Sequence, residues 1–112
     1  SLALPDLDAE QLINMRIHGI DVNYAAAMMD LHLPDITADS LVSMRIHGVR
    51  PQFAQKMREI LGKSLTADDL ISMQIHGVST KLAERMKEKL GDALTADELI
   101  DRAIHGIAEG AW

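Results

Sequence analysis

Leu65-Thr66-Ala67-Asp68-Asp69-Leu70-Ile71-Ser72-Met73-Gln74-Ile75-His76-Gly77-Val78 reads as one short helix and the turn that ends it. Thr66 followed three residues later by Asp69 is a helix-start pattern, each side chain placed to bond the other's backbone N–H. Thr95 and Glu98 form the same pattern as a full capping box. Asp68 and Asp69, like Asp97 and Glu98, put negative charge where the helix dipole is positive. Leu70, Ile71 and Ile75 are expected to form the apolar face, and Gly77 to take the left-handed conformation of a C-terminal cap.

The same string recurs along the chain. His18, His47, His76 and His105 are each 29 residues from the next (47−18, 76−47, 105−76), each preceded by Ile and followed by Gly19, Gly48, Gly77 or Gly106. Leu12, Leu41, Leu70 and Leu99 keep the register, as do Ala25, Ala54 and Ala83, and Met28, Met57 and Met86. A second helix follows each turn, started by Asp21, by Pro51 at a first helical position, or by Ser79, and closed by Gly62 or Gly91. Leu82, Ala83, Met86 and Leu90 share one face of it.

The expectation is an all-α chain of tandem 29-residue helix-turn-helix repeats, solenoid-like or a compact helical array. About seven short helices are predicted, over 8–17, 22–32, 37–46, 51–61, 66–75, 80–90 and 95–104. They fall in one domain, 1–112, with repeats at about 8–36, 37–65 and 66–94 and a partial one at 95–112. Helices this short are marginal alone, so packing between repeats must hold them. Arg102, standing where Met15, Met44 and Met73 stand, suits a terminal repeat whose face meets solvent.

Composition agrees. Apolar residues are 47% and aromatics 3% of 112 residues, so the core must come from Leu, Ile, Val, Met and Ala, which favours helix packing over strands. Six of the seven methionines hold two repeat positions and are expected in the core; Met29 is expected to be exposed. There is no cysteine, hence no disulfide framework. No apolar run approaches the roughly 20 residues of a membrane span, and no signal peptide is visible, so no membrane insertion by this segment is expected. Ser1 in place of an initiator Met suits a segment of a longer protein or a chain freed of a tag.

The turn of repeat two, Met44-Arg45-Ile46-His47-Gly48-Val49-Arg50-Pro51-Gln52-Phe53-Ala54, resembles the helix-hairpin-helix motif of DNA-repair and replication proteins. Ile46, Gly48, Val49 and Ala54 match it. The motif's second glycine is replaced by Asp21, Arg50 and Ser79 in the three turns. In that family the hairpin N–H groups hold a DNA phosphate. The resemblance implies weak, sequence-indifferent nucleic-acid binding through the backbones at Gly48 and Gly77. The repeat as a whole looks like short repeats that follow the membrane domain of bacterial β-lactam-sensor-like metallopeptidases and related regulators. The zinc-peptidase His-Glu-x-x-His motif is absent, so the resemblance carries over no protease activity.

Charge is uneven. Arg50, Lys56, Arg58 and Lys63 stand against Glu59 in 47–63, a net of +3, whereas Asp21 and Asp30 make 18–34 net −2. Arg45, Arg50, Lys56, Arg58 and Lys81 are therefore the candidate contacts for a partner or a phosphate, on a chain whose total of −6 disfavours nucleic acid. The four turn histidines do not read as a metal site: stacked repeats set equivalent atoms roughly 10 Å apart, while zinc ligands lie about 2 Å from one ion. Each imidazole is expected to satisfy backbone groups at its turn. No nucleophile with its base and no phosphate loop is present, and neither catalysis nor a cofactor is expected. The expected function is a non-catalytic module that binds a protein or peptide, or itself, within a larger bacterial regulatory or sensor protein. The alternative is helix-hairpin-helix-like nucleic-acid binding.

Overall fold

A computed structural model describes Ile13, Met15, Arg16 and residues 19–105. Among these residues the chain is all-helical, with six α-helices and no strand: α1 (Val22–Met29), α2 (Ala38–Ile46), α3 (Pro51–Leu61), α4 (Ala67–Ile75), α5 (Thr80–Leu90) and α6 (Ala96–Ile104). Most of the helix expected over 8–17 lies outside the described residues; Ile13, Met15 and Arg16 within it are helical. No helix among the described residues is long and apolar enough to cross a membrane.

The helix starts follow local chemistry. Thr37, Thr66 and Thr95 each accept from the backbone N–H three residues on, and Ser40, Asp69 and Glu98 return a bond to the cap's own N–H. The Thr37–Ser40 box completes the set with a hydroxyl in place of a carboxylate. Asp21 and Ser79 cap α1 and α5, and Pro51 opens α3.

The helix ends explain the turn. The Gly48 N–H donates to the Arg45 carbonyl (3.1 Å) and the Val49 N–H to the Met44 carbonyl (2.8 Å). This is a Schellman cap, with Gly48 at φ +75°. Gly77 and Val78 repeat it on Gln74 and Met73, and Gly19 and Ile20 on Arg16 and Met15. The residues at either end of each cap are buried: Met15 with Ile20, Met44 with Val49, Met73 with Val78.

The isoleucine of the Ile-His-Gly string is not part of this lock. Ile46, Ile75 and Ile104 are 58%, 58% and 54% exposed. The expected face of Leu70, Ile71 and Ile75 is thus corrected to Ala67, Leu70 and Met73, with Ile71 half-buried. Ile75 lies five residues past Leu70, about 140° around the helix at 100° per residue.

Two other expectations are corrected. α1 stops at Met29 rather than at 32: Asp30 closes it, and the left-handed backbone at His32 cannot continue a right-handed helix. Exposed His32 makes the reversal at φ +54°. Met29 is half-buried against the core, while Met15, Met28, Met44, Met57, Met73 and Met86 are buried in it.

Packing runs in two layers. α2 contacts α4 and α4 contacts α6; α1 contacts α3 and α3 contacts α5. Ala25, Ala54 and Ala83 are fully buried, and their small side chains let the second layer close up. The molecule measures 49 × 23 × 18 Å.

Candidate functional site

The turns and the starts of α3 and α5 meet at an open groove of about 610 Å³. Gly48 and Arg50 form one wall, Gln52, Phe53 and Lys56 continue it along α3, and Gln74 and Thr80 close the far side. Arg50 is exposed and Phe53 half-buried, so a cation and an aromatic edge are presented together. α3 has no side-chain cap at its start, unlike α1, α2, α4, α5 and α6.

The five candidate cations separate. Arg50 and Lys56 line the groove, and Lys56 also reaches Glu84 across the layer at 3.7 Å. Exposed Lys81 lies one residue beyond Thr80. Exposed Arg45 places its guanidinium 5.1 Å from the centre of the Tyr24 ring, a cation–π contact, and sits beside Gly19. Half-buried Arg58 donates its Nε to the Leu31 carbonyl at 3.0 Å, satisfying the chain just past α1.

The histidines depart from expectation. His47 and His76 close α2 and α4 through their backbone N–H groups, but their rings are exposed and have no hydrogen-bond partner among the described residues. Among the described residues the ring of His105 alone bonds backbone, at the Asp101 carbonyl (2.8 Å), and faces the Asp101 carboxylate at 3.2 Å. The turns after α2 and α4 are satisfied by their own peptide groups, which leaves the imidazoles of His47 and His76 nothing to cap. His18 and Gly106 lie outside the described residues. Among the described residues no cluster of His, Asp and Glu is arranged to hold a metal ion.

Two residues that tie distant parts of the chain together escaped the sequence reading. The Tyr24 hydroxyl donates to the Val49 carbonyl at 2.9 Å, and burial pushes its pKa up to about 12 against the opposing pull of Arg45. The Asp35 carboxylate accepts from the N–H groups of Ala67 (2.7 Å) and Asp68 (3.1 Å), the two donors of α4 that Thr66 does not reach. Asp35 stands two residues before the Thr37 cap of α2, and nothing in the spacing links it to a helix 32 residues on. Comparison with family models, curated proteins and solved structures finds no match to this chain.

Proposed function

We propose that the chain is a non-catalytic array of tandem helix-turn-helix units that binds a protein or peptide partner, as one part of a larger bacterial regulatory protein. The observation that carries this reading is a constant interior under a varied groove. Leu41, Leu70 and Leu99, Met44 and Met73, Val49 and Val78, and Ala54 and Ala83 are buried at matching positions. The groove and its rim instead differ from unit to unit: Arg45 against Gln74, Arg50 against Ser79, Phe53 against Leu82. Such variation costs the interior nothing and changes only what the surface recognises. The test is capture of partners by the whole chain and by an Arg50→Glu/Phe53→Ala variant. A partner held by the first and lost by the second, with matching melting curves, is the expected result. A dispersed monomer that captures nothing would end this reading.

Nucleic-acid binding is the second reading, favoured by Arg50 and Lys56 beside the uncapped start of α3. It ranks lower because the Gly48 and Val49 N–H groups are spent on the Arg45 and Met44 carbonyls. Duplex binding tighter than micromolar at physiological salt, by fluorescence anisotropy, would reverse the order.

A further inference from the structure

The outward face of the α2–α4–α6 layer has an order that the cap and the core do not need. Asp39, Asp68 and Asp97 are exposed in the first turns; Ser43, Ser72 and Asp101 follow four residues on; Ile46, Ile75 and Ile104 follow three after that. Spacings of four and seven put all three on one side of each helix. Asp68 and Ile75 are about 10 Å apart along the axis at 1.5 Å per residue. Half-buried Ile71 and Ile100 lie one turn before Ile75 and Ile104 and widen the apolar stripe.

Single exposed apolar residues are ordinary on a protein surface. These are not single. Of the six large apolar side chains most exposed among the described residues, three hold one position on three neighbouring helices. The turns after α2 and α4 bury Met and Val, so the Ile beside each Gly-turn is not explained by folding. A row of Ile flanked by a row of Asp is a surface of mixed character, apolar along one edge and anionic along the other.

We propose that this face docks a basic amphipathic helix lying across α2, α4 and α6. The inference rests on the interaction reading above and adds to it a second seat, apart from the groove, with the chemistry of what it holds. Packed helices are spaced about 8–10 Å apart, and a helix presents a side chain on one face every seven residues, about 10.5 Å. Apolar residues at heptad spacing therefore meet Ile46, Ile75 and Ile104 in turn. Lys and Arg along the partner's flank meet Asp39, Asp68, Asp97 and Asp101. The charge disfavours a second copy of this chain packed face to face, which would bring its own acidic row against this one, on a molecule of net charge −6.

The probe is a fluorescent Leu/Lys peptide of roughly 21 residues, long enough for about 30 Å of helix, with leucines at heptad spacing. Its controls are a scrambled peptide of the same composition and a Leu/Glu twin. The expected result is binding that weakens with salt, with the scrambled and acidic peptides at least about tenfold weaker. The triple variant Ile46→Ser/Ile75→Ser/Ile104→Ser should lose at least about tenfold in affinity while keeping its melting temperature. Asp39→Asn/Asp68→Asn/Asp97→Asn should weaken binding and flatten the salt dependence. Val22→Ser, at an exposed apolar residue in the other layer, should change nothing. No binding to the unaltered chain, equal binding of the scrambled peptide or the twin, or an equal loss from Val22→Ser would overturn the proposal. So would a dimer in the ultracentrifuge that the isoleucine triple variant dissolves. Failure of the peptide to bind, beside a partner captured through the groove, would overturn this inference and leave the interaction reading standing.

Discussion

The Tyr24 hydroxyl donates a 2.9 Å hydrogen bond to the Val49 carbonyl, tying the start of α1 to the turn 25 residues later. Arg45, over the ring of the same tyrosine, comes from the helix that this turn ends. One side chain thus joins both layers.

Tyr24→Phe should destabilise by about 1–2 kcal/mol, because it leaves a buried carbonyl without its donor. The pH dependence has a definite sign. The folded-state pKa of about 12 lies above the ordinary value of 10.0. The unfolded chain therefore releases the phenolic proton first. Stability from this group is complete below pH 10 and declines as pH rises from 10 through about 12. Denaturant melts of the native chain and Tyr24→Phe across that range should converge.

Asp35→Ala should cost about 1–2 kcal/mol, at the upper part of what a helix cap is worth, since both carboxylate oxygens are used on α4. Asp35→Asn, which retains one acceptor oxygen, should recover part of the loss. Urea melts of the two variants check the order.

Gly77→Ala should cost about 1 kcal/mol or more. An added Cβ at Gly77 meets nothing within 4 Å, so the penalty comes from φ +74° alone. Gly77→Asn should be milder, because Asn tolerates this conformation better than Ala. If both cost the same in thermal melts, backbone strain is not the cause.

His47→Ala and His76→Ala should each move stability by less than about 0.5 kcal/mol, the usual range for exposed positions without a special role. A loss above 1 kcal/mol by urea denaturation would show that an imidazole bond holds these turns after all.

Much of the fold was legible because it is local. A capping Thr with its partner three residues on, a glycine after the last turn, and Met and Val placed five residues apart all act within one stretch of chain. Short-range spacing is what a sequence displays directly. The core methionines followed from their recurrence. The candidate site was less legible. Arg45, Arg50, Lys56, Arg58 and Lys81 were identifiable as cations, but the sequence could not show that the Nε of Arg58 bonds the Leu31 carbonyl.

By itself the sequence determined that the chain is helical, where the helices after α1 begin and end to about one residue, and that its turns need glycine. Only the tertiary structure decided which side of each helix faces inward and which polar groups are spent inside. Leu70 and Ile75 are equally apolar, yet one is fully buried and the other 58% exposed, because the neighbouring helices cover one side only. Tyr24 with Val49, Arg58 with Leu31 and Asp35 with Ala67 are pairs 25 to 32 residues apart. Such partners are set by how one helix lies against the next, which no periodicity within a single helix encodes.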